Sequence, residues 1–102
     1  MNTAAAVDRP VYCATERWKL LIAEAGTRFE IPEDRLHVVM QAESAGREAT
    51  DGQPIISAAG VMGLMQLMPA TWNEYRKRLA PGNDPHNPRD NTLAGTAYLR
   101  EL

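Results

Sequence analysis

The sequence is poor in cysteine, histidine and aromatic residues, and it has no long hydrophobic run. Its single cysteine, Cys13, excludes an intramolecular disulfide, and two histidines leave too few ligands for a Cys/His zinc site, so neither a metal nor a cofactor is expected. The longest apolar runs are far too short to cross a bilayer, so no membrane span is predicted. The amino terminus has no basic start and no long apolar stretch, so it does not read as a signal peptide.

The composition is that of a small globular protein. Hydrophobic residues make up 44% and charged residues 24% of the 102 residues, which is enough for one domain. The net charge of −2 argues against nucleic acid as a partner. We predict a loose tail over residues 1–13, where small and polar residues collect, and a single domain over residues 14–102.

Apolar residues recur at helical spacing along most of the chain. This period predicts an all-α fold with helices over residues 15–29, from Pro32 to a cap near Gly46, from Pro69 onward, and from a cap at Asp90 or Asn91 to the end of the chain. Residues 61–68 are nearly all apolar and predict a short, deeply buried helix. The long connection 47–60 contains the turn signal Asp51-Gly52 and predicts one short β-hairpin or an ordered loop, so the fold is α+β at most.

One carboxylate falls on an apolar helix face. At about 100° per residue, Glu43 lies on the same side as Leu36, Val39 and Met40. Burial at the edge of the core would raise the pKa of its carboxyl, as a general acid near neutral pH requires. The alternative is a solvated side chain in the last helical turn, and the spacing alone leaves both interpretations open.

The residues around Glu43 resemble a known family. Four motifs follow one another along the chain: Glu43-Ser44, Ser57-Ala58-Ala59-Gly60-Val61-Met62-Gly63-Leu64-Met65-Gln66, Met68-Pro69-Ala70-Thr71 and Gly95-Thr96-Ala97-Tyr98-Leu99. Their order is typical of the soluble lytic transglycosylase (SLT) family, within the lysozyme-like superfamily. The resemblance covers about residues 15–102 and implies a lysozyme-like helical domain that acts on bacterial peptidoglycan.

By resemblance, Glu43 is the single catalytic acid and base. It would protonate the glycosidic oxygen between N-acetylmuramic acid and N-acetylglucosamine, and would then accept the proton of the muramic acid 6-hydroxyl, leaving a 1,6-anhydromuramoyl end. The substrate-binding positions that match the family are Ser44, Ser57, Gly63, Gln66, Met68 and Tyr98. Glycan strands are the expected partner, and the periplasm or cell envelope the expected location.

The sequence departs from the family in two places. The family continues beyond Tyr98-Leu99 with further helices, whereas this sequence ends at Leu102, so we expect a domain without those helices and with apolar faces that favour self-association. The connection after Glu43 is longer than usual and adds Glu48 and Asp51 as candidates for a second carboxylate. Two alternatives therefore stay open: a lysozyme-like muramidase that uses water, and a catalytically incomplete module that binds glycan or serves assembly.

The remaining methionines, histidines and basic residues are expected to have structural roles. Met62 and Met65 are expected to fill the core, while His37 and His86 are expected at the surface or in packing. The run Arg76-Lys77-Arg78 is expected to form a solvated helix face.

Overall fold

The computed structural model describes residues 15–47, 49–50, 53–54, 60–79 and 84–102. Within these ranges it has four α-helices: α1 (Lys19–Phe29), α2 (Glu33–Glu43), α3 (Pro69–Leu79) and α4 (Pro88–Glu101). A 3₁₀ turn (Glu16–Trp18) precedes α1. The predicted all-α class is confirmed, whereas the predicted tail 1–13 lies outside the described residues.

A short hairpin follows α2, as the Asp51-Gly52 turn signal predicts. Strands β1 (Ala49–Thr50) and β2 (Gln53–Pro54) pair antiparallel, with Ala49 opposite Pro54 and Thr50 opposite Gln53. A hairpin with two residues per strand is not stable alone, so this one is a minor addition to the helical domain.

Local sequence signals set the ends of α1 and α2. Glu30 adopts a left-handed φ of 58° and ends α1, and the amide of Ile31 then donates to the carbonyl of Gly26 at 3.0 Å. Pro32 immediately precedes α2, where its fixed φ suits the entry to a helix. Glu33 and Asp34 follow in the first turn, where the helix dipole favours negative charge.

The core forms where α4 packs against α1 and α3, and α1 packs against α2. Its buried apolar residues come from every helix and from the 61–68 segment, as the helical period predicts: Ile22, Ala25, Ile31, Leu36, Met40, Leu64, Met65, Leu67, Trp72, Tyr75, Leu93, Ala94 and Ala97. No helix in the described ranges has both the length and the apolar character that a membrane crossing requires.

The prediction of a helix over residues 61–68 is wrong. The segment is a tight loop in which Met62 and Leu67 exchange both backbone hydrogen bonds, at 3.0 and 2.9 Å. Gly63 at φ 78° and Gln66 at φ 50° turn the chain in the left-handed region, which a right-handed helix cannot contain. The predicted deep burial is confirmed for Leu64, Met65 and Leu67, whereas Met68 at the end of the segment is 47% exposed. We call residues 62–67 the buried loop.

The predicted cap of α4 is also wrong. Asn87 caps the helix by accepting from the amide of Asp90 at 2.9 Å, and Pro88 occupies the first helical position. Asp90 and Asn91 lie inside the first turn and are buried. An asparagine followed by proline is a recognised helix start, so the signal was present in the sequence.

Candidate functional site

A groove of about 230 Å³ runs between the end of α2, the buried loop and the faces of α3 and α4. Its lining combines an apolar floor with a few polar groups: Val39, Glu43, Met65, Gln66, Leu67, Met68, Thr71, Gly95, Tyr98 and Leu99. Such a concave surface with few convergent polar groups is typical of a ligand site.

Glu43 is the last residue of α2 and lines this groove. The helix face that buries Leu36 and Met40 in the core continues through Val39, which is half-buried, to Glu43, which is exposed. Residues four apart lie on one face, so Val39 and Glu43 form one wall of the groove. The carboxylate therefore stands where the core ends and the groove begins, and it is the one acidic side chain among the described lining residues.

The turn after Glu43 is tightly built. Ala45 and Gly46 are both left-handed, with φ of 54° and 71°. The Ser44 hydroxyl accepts from the amide of Gly46 at 3.2 Å and donates to the carbonyl of Met40 at 3.4 Å. Ser44 is buried and is absent from the groove lining, so in this structure its side chain supports the turn, and its predicted contact with substrate stays a prediction.

Asn91 holds the buried loop in place. Its side-chain oxygen accepts from the amide of Met65 at 2.7 Å, and its amide nitrogen donates to the carbonyls of Met62 at 2.9 Å and Pro85 at 2.8 Å. Gly63 fits beneath it: a Cβ there would approach the carbonyl oxygen of Pro85 to 2.7 Å. Gly63 therefore packs closely against Asn91 and Pro85 and is absent from the groove lining, and its predicted contact with substrate stays a prediction.

Gln66 reaches the groove from the same loop. Its side-chain nitrogen donates to the carbonyl of Gly63 at 2.9 Å. Because a carbonyl can only accept, this bond fixes the orientation of the amide and leaves its oxygen without a donor among the described residues. Gln66 lines the groove, and its predicted contact with glycan stays a prediction.

Met68 and Tyr98 complete the predicted set. Met68 is 47% and Tyr98 38% exposed, and both line the groove. The Tyr98 ring meets that of Tyr75 edge to face, with centroids 5.9 Å apart. The Tyr75 hydroxyl in turn donates to Glu101 at 2.7 Å.

An ion pair between Arg78 and Glu101 lies beside this aromatic pair. The guanidinium of Arg78 lies 2.8 Å from the Glu101 carboxylate, and this hydrogen-bonded pairing lowers the pKa of Glu101. The hydrogen bond to Glu101 also raises the pKa of the Tyr75 hydroxyl. Lys77 and Arg78 are exposed, as predicted for the run 76–78, and within that solvated face Arg78 pairs with Glu101.

Sequence reasoning missed several groove residues. Thr71 and Leu99 were assigned to helices without a role, and Met65 was expected only in the core, although it also forms part of the groove floor. Thr71 lies inside the Met68-Pro69-Ala70-Thr71 motif, which was the available signal. Leu99 likewise lies inside the quoted Gly95-Thr96-Ala97-Tyr98-Leu99 motif.

Other predicted residues lie elsewhere. Ser57, Glu48 and Asp51 lie outside the described residues, so their predicted roles stay predictions. His37 is buried with Nδ1 2.8 Å from the Thr15 hydroxyl, as expected of a packing residue. No group of three or more His, Cys, Asp or Glu side chains suited to a metal ion occurs in the described part of the chain.

Comparison with known proteins identifies the family. Residues 20–102 match the transglycosylase SLT domain. The chain is also 36% identical over 85 residues to a protein named "Transglycosylase" from Enterobacteria phage PRD1. This alignment covers 83% of the chain but only 28% of the phage protein, so the chain spans less than a third of that relative's length. With the family's motifs arranged around one groove, the chain belongs to the transglycosylase SLT domain family.

Proposed function

We propose that this domain cleaves the glycan strand of peptidoglycan without consuming water, with Glu43 as the acid and then the base. The observation that carries the proposal is the placement of Glu43 on the wall of a groove whose other described lining residues are uncharged. Family membership supports the substrate class, and the periplasm or cell envelope is the location where that substrate occurs.

In the first step, the Glu43 carboxyl would donate its proton to the oxygen that links N-acetylmuramic acid to N-acetylglucosamine. The bond from the muramic acid anomeric carbon to that oxygen breaks, and an oxocarbenium-like centre forms. In the second step the 6-hydroxyl of the same sugar bonds to the anomeric carbon and returns its proton to the Glu43 carboxylate. The donor is regenerated and no water is used, so one carboxylate is sufficient.

The groove offers suitable contacts for a sugar. The Gln66 side-chain oxygen can accept from a hydroxyl or an acetamido N–H, and Thr71 can donate or accept nearby. The apolar surfaces of Met68, Tyr98 and Leu99 suit the less polar faces of sugar rings. These contacts would hold the scissile bond beside Glu43, where proximity lowers the barrier.

Two other functions remain open to the test. A muramidase would need a second acidic residue to activate water, for which Glu48 and Asp51 were the candidates. A non-catalytic glycan-binding or assembly module would need the groove alone. Self-association through apolar faces also stays a prediction.

The decisive experiment is mass spectrometry of soluble products from purified peptidoglycan incubated with the 102-residue chain. We expect anhydromuramoyl ends, and we expect them to vanish in Glu43→Gln. Glu74→Gln is the matched control, because Glu74 is an exposed glutamate away from the groove and should leave the products unchanged.

The other outcomes separate the alternatives. Reducing ends would identify a hydrolase and contradict the non-hydrolytic step. Binding of glycan by both the native chain and Glu43→Gln, without turnover in either, would identify a binding module.

A further inference from the structure

The turn that follows Glu43 is conformationally demanding. Ala45, at φ 54°, occupies a region that residues with a Cβ rarely adopt, and Gly46 continues in the same region. None of the residues 44–47 that form this turn lines the groove. Any relaxation of Ala45 toward ordinary backbone angles would unwind the end of α2 and move Glu43.

Backbone hydrogen bonds attach this turn to the end of α2. The amide of Ser44 donates to Met40 at 2.9 Å, and the amide of Ala45 is shared between Met40 and Gln41, both at 3.1 Å. These bonds join the turn to its own helix, so the turn and the end of α2 can shift together.

A restraint from outside the helix comes from Trp18. Its indole N–H donates to the carbonyl of Gly46 at 2.7 Å, across 28 positions of sequence. The indole is half-buried against the core, and the guanidinium of Arg17 lies 4.4 Å from the ring centroid. A short bond from a packed ring fixes the position of the Gly46 carbonyl, three residues beyond Glu43.

The same 3₁₀ turn holds α2 at a second point. The amide of Trp18 donates to the carbonyl of Thr15 at 2.9 Å, and the fully buried Thr15 hydroxyl lies 2.8 Å from Nδ1 of His37. Residues 15–18 therefore contact the middle of α2 through His37 and its end through Gly46. One contact thus lies on the helix itself and the other on the turn that follows it.

We propose that Trp18 is a positioning residue for Glu43: its indole N–H sets the geometry of the turn after α2 and thereby the placement of the carboxylate in the groove. This inference rests on the proposed function for its catalytic part. Its structural part, that Trp18 immobilises the turn, stands on the described contacts alone.

The test is Trp18→Phe, which keeps an aromatic ring but removes the N–H donor. We expect kcat per folded molecule to fall by about ten- to a hundredfold, because a small misplacement of a reacting group has an effect of that size. KM should stay within about twofold, since the groove surface that contacts the glycan is unchanged. Hydrogen exchange of the Ser44 and Ala45 amides should accelerate.

Trp72→Phe is the matched control. Trp72 is buried in α3 and is absent from the groove lining, so its substitution lowers stability without touching the turn. An equal loss of kcat per folded molecule in Trp72→Phe would overturn the proposal, because it would show general destabilisation. Native kcat and native exchange in Trp18→Phe would also overturn it.

Failure of the proposed function has a different signature. If the native chain releases no anhydromuramoyl products, the proposed reaction fails, whereas the exchange measurement on Ser44 and Ala45 still decides whether Trp18 holds the turn.

Discussion

Replacing Asn91 by alanine should loosen the groove more than any other single truncation of a polar side chain outside it. Asn91 is fully buried and makes three hydrogen bonds to backbone groups, two of them to the buried loop. Each bond contributes a net of about 1 kcal/mol, and the Met65 amide left without a partner adds about 1–3 kcal/mol. We therefore expect Asn91→Ala to lower the free energy of unfolding by about 4–6 kcal/mol.

This loss is large against the whole stability of the domain. A chain of this size has a free energy of unfolding of about 5–15 kcal/mol. At roughly 4–8 °C per kcal/mol, the melting temperature should fall by about 16–48 °C. Urea unfolding followed by tryptophan fluorescence, together with calorimetry, measures both quantities. A loss below about 1 kcal/mol would refute the reasoning, because loss of the three bonds alone accounts for more.

Two variants sharpen this test. Thr92→Val is the matched control: Thr92 is equally buried next to Asn91, but its hydroxyl has no hydrogen-bond partner in the described part of the chain, so its removal should not lower stability. Asn91→Asp keeps the acceptor for Met65 but turns a carboxylate oxygen toward two carbonyls. It should be destabilised strongly at neutral pH and less at acid pH, where a protonated carboxyl can donate.

Two further predictions follow from close packing and from charge. Gly95→Ala should destabilise by about 1 kcal/mol, because a Cβ there would lie 2.6 Å from Met65 Cβ; overpacking costs about 1–3 kcal/mol and outweighs the roughly 1 kcal/mol that alanine contributes to a helix. A rise in stability on urea unfolding would contradict the close approach. Hydrogen bonds from Arg89 and Arg78 lower the pKa values of Glu24 and Glu101 below the ordinary 4.5. Their stabilisation is therefore complete above that pH and is lost as the pH falls through the folded-state values, so the melting temperature should drop below about pH 4.5. In the double variant Glu24→Gln/Glu101→Gln that drop should be smaller, and an unchanged drop would show that these pairs do not contribute.

Local signals explain which parts of the fold were predictable. The period of apolar residues located α1, α2 and α3, because each helix buries a face that its own sequence defines. The buried loop was mistaken for a helix since its composition is apolar throughout. Its shape depends on left-handed Gly63 and Gln66 and on Asn91, which is 26 positions beyond Met65, and no local pattern reports such a contact.

The candidate site was predictable to the extent that motifs mark it. Glu43, Gln66, Met68 and Tyr98 were predicted from the family resemblance and lie around one groove. Ser44 and Gly63 belong to the same motifs but are absent from the groove lining. Ser44 bonds within the turn after α2, and Gly63 packs against Asn91. A motif specifies the type of a residue but not the contacts that the residue makes in the fold. Trp18 carries no motif, and its contact with Gly46 emerges only from the folded chain.

The dependence of the buried loop on Asn91 also has a consequence for the order of folding. The loop has two hydrogen bonds of its own between Met62 and Leu67, but the amide of Met65 finds its acceptor only when the first turn of α4 has docked. Residues 60–79 thus contain the sequence of the groove floor without the partner that completes it. The groove should consequently form late in folding, when helix α4 docks onto the rest of the domain. Protection of the Met65 amide from hydrogen exchange would report that final step.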